Sequence, residues 1–405
     1  MSSVTTNTIM DNFLVIAYSF PQPDEASGDL RFFTLLSLLA SKHKVLFCAL
    51  SENGATQPRN KASAQLEQAG ITLGEVDLPH VLRDFKPDIV WFEFYHQARS
   101  DYLELLERYC PQARIVVDSV DVHFNRLETR AKLTGKTEDA SGARQMKAQE
   151  LTAYASADMV IAVSHDDRQL ILQELPEMKV EVVPNIHTVP SFPNRAKRHY
   201  GELVFVGGFK HDPNVDAMLY FCQEVLPRII VTHPQTRLKI IGSNAPQAIQ
   251  ALANEHVDVL GYVPVTAPHL QSAYISVAPL RYGGGMKGKV GEAMSYGLPV
   301  VTTTFGAEGF GLQPGEDLLI GDNAESFAAQ VIALLDDPDL HDRIARRGYD
   351  FIKQHYSVPA VEQLLDSVMQ HLLDLPSRKI SLRQKLKLRM KVWYMRNIAW
   401  RFTQS

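Results

Sequence analysis

Short apolar runs alternate with amphipathic segments along the chain, and this rhythm constrains the fold more than any other feature. Phe13 to Tyr18, Val45 to Leu50, Ile89 to Phe94, Ile115 to Val117 and Met159 to Val163 are rich in Val, Ile and aromatic residues. Each ends at a polar or Gly/Pro break, as strands do. Runs that are apolar at nearly every position suit parallel strands covered on both faces. Between them, Leu30 to Ala40 and Tyr102 to Tyr109 carry helical spacing, and Glu150 to Ser156 forms a shorter helical candidate. Strands alternating with helices predict βαβ units, hence an α/β, Rossmann-like domain.

Val183-Pro184-Asn185, followed by Pro190, Pro193 and the basic cluster Arg195 to His199, interrupts the series and reads as an interdomain linker. The rhythm then restarts. Leu203 to Val206, Leu238 to Ile241, Val257 to Leu260, Ile275 to Ala278, Pro299 to Thr303 and Leu318 to Ile320 are the expected strands. Helices are expected from about Val215 to Val231, from near Lys289, and twice after about Ser326. The predicted organisation is a disordered N-terminus over 1–12, Rossmann-like domains over 13–195 and 196–370, and a C-terminal helix with a basic aromatic tail over 371–405. Open α/β sheets bind ligands beyond the carboxyl ends of their strands, so two such domains imply a cleft between two sheet edges.

Composition removes several classes. The chain has 405 residues, 45% hydrophobic and 21% charged, which suffices for two folded domains and excludes a disordered or collagen-like polypeptide. Cys48, Cys110 and Cys222 stand apart with no C-x-x-C or Cys/His cluster, so neither a disulfide framework nor a structural zinc site is supported. A reducing cytoplasm is the expected location. No signal peptide is visible, and no apolar run approaches the roughly 20 residues of a membrane span. Net charge is −5, yet the segment 377–405 holds nine basic residues and no acid, leaving 32 basic against 46 acidic residues, net −14, in the body. Such a body is not expected to bind nucleic acid, whereas the tail should meet something anionic. Trp393, Tyr394, Trp400 and Phe402 among those basic residues suit an anionic membrane surface. Lys385 to Val392, however, alternates polar and apolar as a strand does, and packing across the first domain or against a partner protein are the competing readings.

The stretch Ala278 to Thr302 carries the most chemistry. A strand ends at Pro279, a glycine turn follows at Gly283-Gly284-Gly285-Met286, and a helix begins with Lys287 and Lys289 in its first turn. Lysines are unusual there, because a helix N-terminus is already partly positive. Glycine-loop N–H groups, the helix dipole and two ammonium groups together make a diphosphate site. Glu292, one turn in, is placed to accept hydrogen bonds from a sugar diol. Each residue also has a plain structural reading: a surface acid for Glu292, solvated lysines for Lys287 and Lys289, and a turn glycine for Gly28. Arg281 suits a phosphate contact or a salt bridge, and His123 a core or surface histidine.

Gly291-Glu-Ala-Met-Ser-Tyr-Gly-Leu-Pro-Val-Val301 resembles the donor-site signature of GT-B glycosyltransferases of family 4. Val204 to Asp216, Ile240-Ile-Gly-Ser243 and Leu260-Gly-Tyr-Val263 resemble donor-domain strands and loops of that family. Ser19 to Gly28, Asp121-Val-His-Phe-Asn-Arg126, Ala157 to Ser164 and Val183-Pro-Asn185 resemble parts of its acceptor domain. The likeness covers roughly residues 13–370 and implies a GT-B fold, two Rossmann-like domains facing each other across a cleft.

By that resemblance, Glu292 binds the ribose hydroxyls, and Gly284, Gly285, Met286, Lys287 and Lys289 hold the diphosphate. Gly208 and Lys210 lie in a loop that meets phosphates, the backbone near Val263 faces the base, and Gly28 lets its loop approach the donor. His123 lies beside the reacting sugar, so His123, Lys210 and Lys287 are the candidate catalytic groups and Arg281 an additional donor contact. The family often has an acid eight positions before Glu292, where this chain has Gly284. The implied reaction is transfer from a nucleotide-diphosphate sugar to a saccharide or lipid-linked acceptor with retention of configuration, in cell-surface polysaccharide assembly. Cations and amides stabilise the departing diphosphate. No metal or cofactor is expected, and Asp118-Ser-Val-Asp121 has the wrong spacing for a metal-binding Asp-x-Asp. A non-catalytic sugar-nucleotide scaffold, or an epimerase or phosphorylase on the same fold, is the alternative. A dehydrogenase is disfavoured, because the first strand leads into Ser19-Phe-Pro-Gln-Pro23 and not G-x-G-x-x-G.

Overall fold

The computed structural model describes residues 10–24, 27–50, 58–74, 77–125, 127–128, 137–283 and 285–376. The leading segment 1–9, Gly284 and the tail 377–405, with its alternating run Lys385 to Val392, lie outside them. Among the described residues, those up to 22, 32–183 and from 365 onward form one compact unit, and 23–31 with 184–364 form another.

The first unit is built on seven parallel strands: β1 (Asn12–Ala17), β2 (Lys44–Ala49), β3 (Thr72–Leu73), β4 (Ile89–Glu93), β5 (Arg114–Asp118), β6 (Met159–Ala162) and β7 (Val180–Val182). Their order in the sheet is β3-β2-β1-β4-β5-β6-β7. Phe13 stands beside both Val45 and Ile89, so the expected strands pair in register at the centre. Phe13, Leu14, Val15 and Ile16 are wholly buried, which is why the run shows no polar alternation. The helix expected at Glu150 to Ser156 is the end of a 19-residue helix, Thr137–Ala155, whose earlier turns carry no apolar stripe to announce it.

The second unit has six parallel strands: β8 (Glu202–Val206), β9 (Arg237–Ile241), β10 (Val257–Gly261), β11 (Ile275–Ala278), β12 (Val300–Thr302) and β13 (Leu319–Ile320). They are ordered β10-β9-β8-β11-β12-β13. The single helix expected over 215–231 is two helices, Asp212–Tyr220 and Leu226–Thr232, joined by a π-turn at Phe221–Val225. Pro227 explains the break, since it lacks the N–H that an uninterrupted ladder needs.

The division between the units falls after Val183, not near 195. The segment expected to be a loose linker is bound into the second unit. Tyr349 donates to the Pro190 carbonyl at 2.6 Å, and the Arg198 guanidinium reaches the carbonyls of Leu270, Ala273, Tyr296 and Gly297 at 2.7–3.0 Å. The helix Val358–Asp374 contributes to both units. Its later turns are fixed in the first unit by Lys42 to Asp366 at 2.7 Å and by Arg114 to the Leu373 carbonyl at 2.6 Å. Among the described residues no helix is long and apolar enough to cross a membrane.

Candidate donor site

The chain order of the second sheet reverses between β8 and β11, and a parallel sheet opens a crevice at such a switch point. The two motif loops leave the sheet there. After β8 the chain turns through Gly207 and Gly208, anchored by Gly207 N–H to the Ile241 carbonyl at 2.9 Å and Phe209 N–H to the Ser243 carbonyl at 2.9 Å. After β11 it passes Arg281 to Lys287 into the helix Gly288–Ser295. Gly283 and Gly285 have φ of 141° and 64°, which a side chain would strain, so this turn needs glycine. Thr302 and Thr303 hold the start of the loop by donating to the carbonyls of Ala278 and Leu280.

Lys289 and Gly208 come together through Asn214. The Lys289 ammonium donates to the Asn214 side-chain oxygen, and the Asn214 amide donates to the Gly208 carbonyl at 2.7 Å. Lys289 keeps some surface, but its ammonium is turned inward, 4.9 Å from the centre of the Phe205 ring. Burial, reinforced by the neighbouring Lys287 charge, lowers its pKa to about 7. Lys287 is buried as the residue preceding the helix, 3.9 Å above the Phe305 ring and 3.4 Å from the Glu308 carboxylate. Two cations thus stand at the start of one helix, one held by a neutral amide and the other beside an exposed acid.

Glu292 is partly buried and accepts a 2.6 Å hydrogen bond from the Thr266 hydroxyl, while burial raises its pKa. Val263 and Met286 are half-buried and pack on the same small core. Lys210 is exposed beyond Gly208. Arg281 is engaged elsewhere, with Nε 2.9 Å from Asp216 and the guanidinium 4.6 Å from the centre of the Tyr220 ring. Gly28 lies in the first turn of the helix Ser27–Ala40, in the short segment that packs with the second unit.

His123 belongs to the first unit, at the start of a short helical segment after β5. Its backbone N–H donates to the Glu150 carboxylate at 3.1 Å, which also accepts from Phe124 N–H at 2.9 Å and the Tyr154 hydroxyl at 2.6 Å. Burial pushes the Glu150 pKa up to about 7 against the lowering effect of those bonds.

Sequence reasoning assigned no role to Asn214, Thr266, Glu150, Glu308 or His187. Asn214 and Thr266 lie within or just beyond stretches already singled out, but an amide and a hydroxyl carry no spacing signature. His187 is fully buried with Nε2 lacking a hydrogen-bond partner among the described residues, and burial lowers its pKa to about 4. A Cβ on Gly291 would overlap its ring, so Gly291 lets the donor-site helix lie against it.

Residues 201–337 match the family model described as "Glycosyl transferases group 1". A curated relative from Klebsiella pneumoniae, described as "Uncharacterized 44.6 kDa protein in cps region", is 28% identical over 168 residues. That match covers 39% of this chain and 43% of the relative, so it spans less than half of either. A glycosyltransferase from Rickettsia africae superposes with a TM-score of 0.64 at 12% identity, covering 91% of this chain and all of that one. Sucrose-phosphate synthase from Thermosynechococcus elongatus gives 0.63 at 15% identity, covering 90% and 99%. Anabaena Alr3699/HepE in complex with UDP gives 0.62 at 14% identity, covering 89% and 100%. Residues 201–337, which hold the two lysines and their glycine loop, therefore match the group 1 glycosyl transferases, in a chain whose two parallel-sheet units have the GT-B fold.

Proposed function

We propose that the chain is a glycosyltransferase of family 4 type that moves a sugar from a nucleotide-diphosphate donor to a saccharide or lipid-linked acceptor. The carrying observation is the Lys287 and Lys289 pair at the start of the helix Gly288–Ser295, behind a glycine turn and one turn before Glu292. In this reading the lysines, helix N–H groups and exposed Lys210 take the charge that develops on the leaving diphosphate. Glu292 accepts from the ribose hydroxyls, exchanging its bond from Thr266. Arg281 joins the donor contacts by leaving Asp216, and His123 meets the reacting sugar. Retention of configuration and independence of a divalent metal complete the proposal. The Anabaena protein was solved with UDP and with UDP-glucose, and the Klebsiella relative is of the cps region, which supports nucleotide-sugar chemistry in cell-surface polysaccharide assembly. The tail 377–405 is proposed to hold the enzyme on an anionic, cytoplasmic membrane face.

Calorimetry of the purified chain without metal, against UDP, GDP, TDP, ADP, CMP and NAD, tests the reading. One nucleoside diphosphate should bind, and Lys287→Ala should weaken it by about tenfold or more, the loss of one charged hydrogen bond. Glu292→Ala should weaken the same ligand without lowering Tm. Silence across the diphosphates would overturn the donor site.

A further inference from the structure

We propose that the carboxyl edge of the first sheet carries an aromatic platform, Phe94 with His96 and His123, on which the pyranose ring of a neutral saccharide acceptor stacks. The proposal rests on the transferase reading and names the acceptor chemistry within it.

Topology gives the place. The first sheet reverses its order between β1 and β4, as the second does between β8 and β11, where the glycine and lysine loops lie. The exposed Tyr18 follows β1, Phe94 and His96 follow β4, and His123 follows β5, so three adjacent strands deliver aromatic rings to one edge.

Backbone strain marks the same edge. Phe94 has φ 64° and ψ 150°, a region essentially reserved for glycine, and the β-branched Val120 has φ 54°. Such backbone is strained and persists only where its surroundings over-determine it. Here Phe94 N–H is bonded to the Asp118 carbonyl at 2.9 Å, its own carbonyl accepts from Gln97 at 3.2 Å, and Ser119 N–H is tied to Ile161 at 2.8 Å. All five residues of β4 are buried, and Phe94 is the first of the run to reach the surface.

The rings are ordered. Phe94 stacks on His96 at 5.3 Å and 20°, and lies 5.6 Å from His123. Buried Tyr95 meets both imidazoles edge-on at 5.5 Å and donates its hydroxyl to the Met146 sulfur, forming a fixed base. The electron-rich faces of such rings attract the electropositive axial C–H groups of a pyranose. Glu93 and Asp118, both buried, and half-buried Asp121 lie in the same strand ends and loop, an acidic setting that disfavours a phosphate or uronate relative to a neutral sugar.

Saturation-transfer NMR of the full chain tests this with the methyl glycosides of glucose, galactose, mannose and glucuronic acid, alongside nucleotide calorimetry. At least one neutral glycoside should receive saturation on one ring face, and the glucuronide less. Phe94→Gly removes the ring where glycine is conformationally at ease, so Tm should stay level or rise while saturation falls by about tenfold. Exposed His96→Ala should reduce saturation without affecting Tm. Neither variant should change nucleoside diphosphate affinity. Absence of saturation by every neutral glycoside, preference for the glucuronide, or saturation that survives Phe94→Gly overturns the platform. If diphosphates bind and glycosides do not, the platform alone falls; if no diphosphate binds, the transferase reading falls whatever the glycosides do.

Discussion

Lys289 carries opposed demands on one side chain. Its ammonium faces a neutral amide and an aromatic ring, and burial with the nearby Lys287 lowers its pKa from 10.5 to about 7. The folded chain therefore holds this proton less tightly than the unfolded chain does. Between pH 7 and 10.5 the unfolded state binds a proton that the folded state lacks, so the contribution of Lys289 to stability rises with pH across that window. Lys289→Met, which keeps the apolar stem and removes the charge, should accordingly raise Tm at pH 7, with a gain that shrinks towards pH 9.5. A bound diphosphate favours the charged form, so binding should take up a proton, and affinity should fall as pH rises above 7. Calorimetry in buffers of different ionisation enthalpy reads that uptake, and the Met variant should lose both the uptake and about tenfold in affinity. Equal Tm for the two proteins at pH 7 would show that the ammonium is not desolvated. The lysine and its glycine turn were legible as an anion-binding pattern because charge and helix position are written in the sequence. Asn214, which joins Lys289 to Gly208, was not, because its role arises only when the ends of β8 and β11 are brought side by side.

At the scale of elements, Arg198 and Glu150 each secure a segment that the candidate sites depend on. Arg198 gathers carbonyls at the ends of two helices, Ala267–Ser272 and Gly288–Ser295, with a planar fork that a lysine cannot reproduce. Burial depresses its pKa to about 10, so it stays charged at neutral pH. Arg198→Lys should cost about 2–4 kcal/mol by denaturant unfolding, because buried carbonyls lose partners. It should also weaken nucleotide binding by loosening the end of the helix that carries Lys289 and Glu292. A loss below about 0.5 kcal/mol would mean the network is dispensable. Glu150 fixes the start of the helical segment that carries His123, and its pKa near 7 makes that anchor sensitive to pH. A carboxyl with a raised folded-state pKa contributes stability that is present below about 4.5 and lost as pH rises through 7. Glu150→Gln should lack this slope, so its Tm relative to the parent should climb between pH 4.5 and 7 and then level off. A parallel pair of curves would mean that Glu150 titrates normally. Central strands such as β1 and β4 were readable because burial on both faces leaves unbroken apolar runs. The two-residue β3 and the three-residue β7 are too short for any periodicity. The break at Val183-Pro184-Asn185 was legible, but the binding of the segment after it into the second unit was not, because Pro and basic residues suggest a linker, while the carbonyls that Arg198 collects are distant in sequence.

Across the whole molecule, two sheets of the same plan carry different chemistry at their switch points, cationic loops on one and aromatic rings on the other. The charge of the chain is divided just as unevenly. A body of net −14 repels anionic surfaces, whereas nine basic residues among Trp393, Tyr394, Trp400 and Phe402 favour them. Each basic side chain near an anionic headgroup contributes about 1 kcal/mol, and the attraction decays within a Debye length of about 8 Å at physiological salt. If the tail meets lipid, the full chain should sediment with vesicles containing phosphatidylglycerol but not with phosphatidylcholine alone. Binding should weaken sharply between 50 and 500 mM salt, leaving a residue due to the aromatic side chains. A chain ending at Pro376 should stay in the supernatant and retain nucleoside diphosphate affinity, since the donor-site residues all precede it. If the tail instead packs on the acidic body, the shortened chain should have a lower Tm and the full chain should ignore the vesicles. Those two results together would move the basic residues from a membrane role to a role in folding.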